Sequence, residues 1–337
     1  MKVLVTGGTG FVGSHSVRAL LDEGHAVRLL VRNPARVGPA LEPLGVDPAR
    51  VEVATGDVTD VPAVRAALQG CQGVLHAASV YALGNRKREE MLRVNVAGTR
   101  LVLEEGLAAG CNPVVHVSSI VALVGGPDRT LTEQSPLGRP VGTYLTTKRD
   151  ADALARALQE RGEPVVISYP GGVWGPHDPY LDESCQMVRH IVSGLAPNRI
   201  DAGFGIVDVR DAALVHARAM KRHDRPARYP ALGRYVTFGA LHRMVCEAAS
   251  VRRLTLPTPV LALRVLVPVL ALLERLGLHL PAASDASWIL ANDHRVDNTV
   301  SERELGVTFR PVEEAVRDTV SWLAAEGHLR SRRALHA

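Results

Sequence analysis

The stretch that decides the fold is Thr6-Gly7-Gly8-Thr9-Gly10-Phe11-Val12-Gly13, which follows the apolar run Val3 to Val5 and opens a helical pattern. In a strand–turn–helix unit, Gly7 permits the tight turn, Gly10 lets the backbone approach a pyrophosphate, and Gly13 lets the helix pack closely on the strand. The free N–H groups of the helix N-terminus attract phosphate. The stretch therefore predicts a dinucleotide-binding turn. Its expected contacts are Gly7, Thr9, Gly10, Phe11, Val12 and Gly13.

Short apolar runs alternate with helical patterns through the first half of the chain. The runs predict strands at 2–6, 26–31, 51–54, 73–77, 113–118 and 164–168. Apolar residues at three- and four-residue spacing predict helices at Phe11–Glu23, Val61–Gln69, Glu89–Ala109 and Gly142–Arg161. This alternation is typical of a parallel sheet covered by helices. We predict an α/β fold: a doubly wound Rossmann sheet with helices on both faces and a smaller C-terminal substrate lobe.

The alternation of predicted strands and helices becomes less regular from about Val173, where proline becomes common. We expect a Rossmann domain at 1–172 with a return segment near 205–222, and a substrate lobe at 173–204 and 223–330. The apolar run Val260–Leu273 is too short to span a bilayer and contains Arg264 and Pro268. It is interpreted as a lid helix or a core helix, and no membrane span is expected.

Composition excludes several functional classes. The net charge of +4 comes from scattered arginines, and aromatic residues make up only 4% of the chain, so no nucleic-acid partner is expected. The cysteines Cys71, Cys111, Cys185 and Cys246 form no C-x-x-C pair, so neither a metal site nor a disulfide framework is indicated. The predicted first strand begins at Lys2, which leaves no room before it for a leader, and we expect a cytoplasmic enzyme.

The ends of the next strands predict which dinucleotide is bound. An acidic residue after the second strand would accept from the ribose 2′-OH of NAD, but the strand ends Val31-Arg32-Asn33. Arg32 is suited to a 2′-phosphate, so NADP(H) is favoured over NAD(H). Further cofactor contacts are expected from Asp57 and Val58 after the third strand and from Ala77, Ala78 and Ser79 after the fourth.

The pattern Tyr144-Leu145-Thr146-Thr147-Lys148 places a phenol and an ammonium on one helix face. Reduction of a carbonyl by hydride requires an acid, and a neighbouring ammonium lowers the pKa of a phenol toward neutral pH. Ser118 and Ser119 end the fifth predicted strand, where either hydroxyl can orient a substrate carbonyl or cap a turn.

These motifs together resemble the extended short-chain dehydrogenases/reductases. The resemblance rests on TGGTGFVG, Asp57-Val58, HAAS at 76–79, VNVAGT at 94–99, VSS at 117–119, YLTTK and the stretch from Tyr169 to Pro176. It implies that Ser119 orients the carbonyl, that Tyr144 is the acid/base, and that Lys148 holds the nicotinamide ribose and tunes Tyr144. It further implies a homodimer formed through helices near 89–109 and 142–161. The cofactor contacts that it adds are Val117, Tyr144, Lys148, Pro170, Gly171, Gly172 and Val173.

The branch within the family is left open by the sequence. The segment VRLLVRNP at 27–34 is similar to the dihydroflavonol and cinnamoyl-CoA reductases, whereas VNVAGT is similar also to 3β-hydroxysteroid dehydrogenases and sugar-nucleotide epimerases. Ile120 and Val121 follow Ser119, where a dehydratase would need an added acid and base. We expect an NADP(H)-dependent oxidoreductase that interconverts a carbonyl and an alcohol on a small apolar or aromatic substrate. The alternatives are an epimerase with tightly bound NAD and a non-catalytic NADP(H) sensor.

Overall fold

The computed structural model describes residues 1–81, 87–196, 198–262, 264, 265, 267, 269 and 284–329. Strands β1 to β14 are Lys2–Thr6, Ala26–Val31, Val51–Thr55, Gly73–His76, Val114–Val117, Thr130–Leu131, Val165–Pro170, Gly172–Trp174, Asn198–Arg199, Gly203–Asp208, Ala227–Ala231, Arg234–Thr237, Leu256–Pro257 and Arg295–Val296. Helices α1 to α12 are Phe11–Asp22, Val37–Leu41, Val61–Leu68, Arg88–Met91, Thr99–Ala108, Thr143–Glu160, Glu183–Ser193, Val209–Arg218, Phe238–Ala248, Ser284–Asn292, Thr299–Leu305 and Val312–Ala325.

Seven of the described strands form one parallel sheet in the order β11-β7-β5-β4-β1-β2-β3. Strands β4, β5 and β7 are buried along their whole length, which explains why their sequences are mainly apolar. Separate apolar clusters, with Leu103 in one and Leu20 in the other, pack on the two faces. The predicted doubly wound Rossmann fold is confirmed.

The structure differs from the sequence prediction at the third long helix. The stretch predicted as one helix over 89–109 consists of α4, a π-helical segment Leu92–Gly98, and α5. Within the π segment, the Asn95 amide accepts from Val80 N at 2.7 Å and donates to Thr147 Oγ1 at 3.1 Å. The local change of pitch thus coincides with a side chain that connects the loop after β4 to α6.

Strand β11, the last of the seven strands in the large sheet, was not predicted from the sequence. It pairs with β7 at residues 227–231, so the chain returns to the main sheet beyond the expected segment near 205–222. Pro230 obscured the strand in the sequence. A proline is tolerated there because β11 lies at the edge of the sheet, where one side needs no ladder donors.

A second group of elements packs beside the carboxyl edge of the large sheet. Strands β12, β10 and β8 form a small sheet, and its apolar cluster includes Trp174, Ile191 and Leu241 together with residues of α12.

The exact division into two domains remains a prediction. Much of the run Val260–Leu273 lies outside the described residues, so its interpretation as lid or core also remains a prediction. In the part of the chain that the structure describes, no helix has both the length and the apolar character needed to cross a bilayer.

Candidate active site

The predicted glycine turn lies against the end of β4. Gly7 has φ of +74°, and a Cβ on it would lie 2.6 Å from Ala78 N. A Cβ on Gly13 would lie 2.0 Å from the Gly7 carbonyl oxygen. Because these backbone segments approach so closely, only glycine fits, and the helix N-terminus stays open for a pyrophosphate. The turn therefore has the shape that a dinucleotide requires.

One cavity of about 590 Å³ begins at this turn and follows the carboxyl edge of the sheet. Every residue predicted from the sequence as catalytic or cofactor-binding lines it. They are Gly7, Thr9, Gly10, Phe11, Val12, Gly13, Arg32, Asp57, Val58, Ala77, Ala78, Ser79, Val117, Ser119, Tyr144, Lys148, Pro170, Gly171, Gly172 and Val173. The structure thus brings together residues from seven separate segments of the chain, while their individual roles remain predictions.

Two charged side chains mark the end of the cavity near β2 and β3. Arg32 is largely exposed, and its Nη1 lies 3.7 Å from Glu90 Oε1. Asp57 accepts hydrogen bonds from Thr59 N at 2.9 Å and from Thr59 Oγ1 at 2.7 Å. Although burial opposes it, these hydrogen bonds and nearby Arg93 lower the pKa of Asp57. The Asp57 carboxylate is therefore ionised and engaged locally, whereas Arg32 makes one long, exposed ion pair that a ligand phosphate can replace.

The two adjacent serines differ in their surroundings. Ser118 is buried, and its hydroxyl lies beside the Asp152 carboxyl. Ser119 is only partly buried and begins the 3₁₀ turn Ile120–Ala122, with its Oγ 3.4 Å from Val121 N. Ser119 is thus the serine whose hydroxyl is the less confined of the two and can turn toward a ligand.

The phenol and the ammonium both come from α6. Lys148 is buried, and its Nζ donates to the Val117 carbonyl oxygen at 3.2 Å. Burial lowers the pKa of Lys148 to about 8, and the charge of Asp152 partly offsets this effect. The ring of Tyr81 meets the ring of Tyr144 edge to face, with centroids 4.6 Å apart. The ammonium is therefore held by the end of β5, and the phenol by a second aromatic ring.

A buried charged cluster lies behind Lys148 on the same helix. Arg156 Nε donates to Asp152 Oδ2 at 2.8 Å, and Arg156 Nη2 donates to the Tyr169 hydroxyl at 2.9 Å. Burial raises the pKa of Asp152, and Arg156 opposes that rise. Sequence reasoning missed this cluster. The four-residue spacing of Lys148, Asp152 and Arg156 was the signal that could have found it.

His76 is packed as expected and is not part of the cavity lining. Its ring nitrogens lie 2.8 Å from Thr6 Oγ1 and 2.9 Å from Thr99 Oγ1. Burial, reinforced by Lys148, lowers the pKa of His76 to about 3, so the ring is neutral at physiological pH. It joins β1, β4 and α5 through Thr6 and Thr99.

The far end of the cavity is lined mainly by large apolar and aromatic side chains that the sequence did not identify. They are Tyr81, Trp174, Tyr180, Met187, Phe204, Ile289 and Leu290. Asp182 and Glu183 also lie there, and burial together with Asp178 raises the pKa of Asp182 to about 6. These residues come from loops and helices far apart in the chain, so no local pattern in the sequence connects them. Among the described residues, no cluster of His, Cys, Asp and Glu is arranged to hold a metal ion.

Comparison with known proteins relates the chain to one family. The model of the NAD dependent epimerase/dehydratase family matches residues 3–230. The chain is 29% identical to a putative dihydroflavonol 4-reductase from Synechocystis, covering 97% of this chain and 96% of the relative. It is 31% identical to sterol demethylase protein B from Methylococcus capsulatus, covering 97% and 99%. The crystal structure of gox2253 superposes with a TM-score of 0.80 at 29% identity, covering 97% and 99%.

The chain therefore belongs to the NAD dependent epimerase/dehydratase family, and it is an NAD(P)-dependent enzyme of the extended short-chain dehydrogenase/reductase type. The resemblance inferred from the sequence motifs is confirmed.

Replacement of Gly13 tests the turn. Gly13→Ala places a methyl group 2.0 Å from the Gly7 carbonyl oxygen, so the turn must open, and we expect the dissociation constant for the nicotinamide cofactor to rise about tenfold or more. Gly38→Ala is the matched control, because its Cβ meets only the flexible end of Glu42, at 3.1 Å. Fluorescence titration gives the dissociation constant of the nicotinamide cofactor for each variant. Unchanged affinity in Gly13→Ala would show that the turn does not hold the cofactor.

Proposed function

We propose that the protein is an NADP(H)-dependent reductase that interconverts a carbonyl and an alcohol on a small apolar or aromatic substrate. In this proposal Tyr144 is the acid/base, Lys148 supports its ionisation and binds the nicotinamide ribose, and Ser119 orients the carbonyl. The observation that carries the proposal is the single cavity, in which the glycine turn, these three side chains and an apolar end are continuous.

The proposed proton transfer follows from the positions of the side chains. When bound, the reduced nicotinamide supplies the hydride. The Tyr144 hydroxyl gives its proton to the substrate carbonyl oxygen, and the Ser119 hydroxyl donates a hydrogen bond to the same oxygen. The phenolate that remains on Tyr144 is stabilised by the positive charge of Lys148, one helical turn away on α6. Because Val117 O holds the Lys148 ammonium, that charge is already in place before the reaction.

Two features support NADP(H) as the cofactor. The β2 end carries Arg32 and no acidic residue, and Arg32 lines the cavity with an exposed guanidinium. Asp57, the nearest carboxylate after β3, is engaged by Thr59 and Arg93. Arg32 could therefore exchange its long, exposed ion pair with Glu90 for a 2′-phosphate at little cost in free energy.

The far end of the cavity supports an apolar substrate over a sugar nucleotide. Its described lining consists mainly of aromatic and aliphatic side chains, with the polar residues Asp182, Glu183 and Ser184. A nucleotide diphosphate would bring its negative charges against this largely apolar wall, where a charge without a partner is unfavourable. The reductase named among the relatives agrees with carbonyl chemistry of this kind.

Tyr144→Phe tests the acid. It removes the hydroxyl and keeps the ring that packs on Tyr81, so we expect the rate of NADPH-dependent carbonyl reduction to fall about 10²- to 10⁴-fold, with NADPH affinity nearly unchanged. Tyr235→Phe, on β12 with its hydroxyl bonded to Asp293, is the control. Activity is followed by NADPH absorbance with a panel of steroid, terpenoid and aromatic carbonyls. A Tyr144→Phe enzyme with full activity would refute the assignment.

Arg32→Ala tests the cofactor. Loss of the guanidinium removes the charge-assisted contact to the 2′-phosphate, so the dissociation constant for NADPH should rise about tenfold or more, whereas that for NADH should hardly change. Arg50→Ala is the matched control, because Arg50 is an exposed arginine outside the cavity. Calorimetric titration of both nucleotides gives the comparison. Equal affinities of the native protein for NADH and NADPH would contradict the proposal.

The pH profile tests the coupling of Lys148 to Asp152. Reduction requires the Lys148 ammonium, so kcat/KM should fall as the pH rises through about 8. The Asp152 carboxylate raises the pKa of Lys148, so Asp152→Asn should move this fall to lower pH, by about one unit. Asp150→Asn, whose carboxylate pairs with Arg149, should leave the profile in place. An identical profile in Asp152→Asn, with folding verified by circular dichroism, would rule out this coupling.

A further inference from the structure

Residues 175–182 connect β8 to α7 and pass beside the N-terminus of α1. His15 Nε2, one turn into α1, donates to Pro176 O at 3.1 Å. A Cβ on Gly175 would lie 3.7 Å from the Phe11 ring, at the start of the same helix. Further along the segment, Tyr180 lines the cavity. We call residues 175–182 the strap, because they run from the second lobe over the helix N-terminus that is open for a pyrophosphate.

The backbone of the strap is held in one shape by a buried side chain. Asp178 is 2% exposed, and its Oδ1 accepts from Tyr180 N at 3.0 Å. Its Oδ2 accepts from Asp182 N at 2.7 Å, at the start of α7. Because these two bonds close the turn around Tyr180, the backbone there has little freedom. Movement at this point of the cavity is therefore left to side chains.

A side-chain contact joins the strap to the turn that follows β2. The guanidinium carbon of Arg36 lies 5.5 Å from the centre of the Tyr180 ring, which is a cation–π arrangement. Arg36 ends the 3₁₀ turn Pro34–Arg36, four residues after Arg32, which lines the cavity. The contact between Arg36 and Tyr180 therefore connects the two walls of the cavity at its β2 end.

This contact differs in strength from the bonds that hold the strap. Tyr180 is 46% exposed, and Arg36 is exposed as well. A cation–π contact at an exposed site changes an equilibrium by only about two- to fivefold. Exposed side chains also change rotamer within nanoseconds. The contact can therefore break and form again while the backbone on either side stays in place.

We propose that Arg36 and Tyr180 form a gate through which the dinucleotide enters and leaves the cavity. In the closed gate, the guanidinium lies over the ring and joins the turn after β2 to the strap. Rotation of the Arg36 side chain opens the passage between them. The adenosine half of the cofactor, which belongs at the β2 end beside Arg32, is the half that passes the gate.

The gate predicts a particular kinetic signature. The same contact closes the cavity before and after the cofactor binds, so its loss should raise the association and dissociation rate constants by similar factors and leave their ratio nearly unchanged. A side chain that only contacts the bound cofactor would change the dissociation rate constant alone. The gate rests on the proposed position of the cofactor in this cavity, but not on the preference for NADP(H), on Tyr144 or on the substrate.

Stopped-flow fluorescence of NADPH binding to the full chain tests the gate, at high salt so that electrostatic steering is screened. Tyr180→Leu removes the ring face and keeps an apolar side chain, so both rate constants should rise about two- to fivefold, with the dissociation constant changed less than about twofold. Arg36→Ala should have the same effect. The double variant should match either single variant, because each change removes the same contact.

Two controls keep the rest of the surface constant. Tyr180→Phe retains the ring and should bind NADPH at the native rates. Arg295→Ala breaks a similar pair outside the described lining of the cavity, with the guanidinium carbon 4.0 Å from the centre of the Tyr235 ring, and should also leave the rates unchanged.

Three results would overturn the gate. They are native rates in Tyr180→Leu, a rise confined to the dissociation rate constant, and effects that add in the double variant. These measurements need no turnover. A failure of the gate therefore leaves the loss of carbonyl reduction in Tyr144→Phe as a separate test of the proposed function.

Discussion

The site depends on the parallel direction of the central strands. In a parallel sheet every carboxyl end lies at the same edge, and the strand order reverses between β1 and β4, which opens a crevice there. The glycine turn follows β1, and Ala77 to Ser79 follow β4, so the two segments meet at the crevice. They can meet only because Gly7 and Gly13 have no Cβ: an added methyl group would overlap Ala78 N or Gly7 O. The fold and the cofactor site therefore have the same steric requirement.

The inner face of α6 carries buried charges that also join the helix to the sheet. Lys148, Asp152 and Arg156 follow one another at four-residue spacing, and burial of charges is unfavourable unless each has a partner. Arg156 pairs with Asp152 and Tyr169, and Lys148 donates to the end of β5. Removal of one member leaves the others uncompensated. The Lys148 ammonium that the proposed chemistry needs is thus held by a contact that also joins α6 to the end of β5.

The sequence predicted those parts of the site that are determined by short local patterns of residues. The glycine turn, the pair Tyr144 and Lys148, and the strands that precede them each have a short pattern, and the structure brings them together. Strand β11 was missed because Pro230 argues against a strand, and only its edge position makes proline acceptable. Tyr81, Ile289 and Leu290 were missed for a different reason. Their positions depend on packing between distant segments, which spacing along the chain does not encode. Asp152 had a local signal that was overlooked.

The cavity divides its tasks between two parts of the chain. Its Rossmann side is built largely from turns, small residues and strand ends, whose chemistry is fixed by backbone geometry. Its other side is built from side chains of the second lobe, such as Trp174, Met187 and Leu290, which can change without disturbing the sheet. Such a division would allow one fold to act on different compounds. For this chain, the decisive information on the substrate lies in the shape and polarity of that second wall, where apolar side chains outnumber the carboxylates of Asp182 and Glu183.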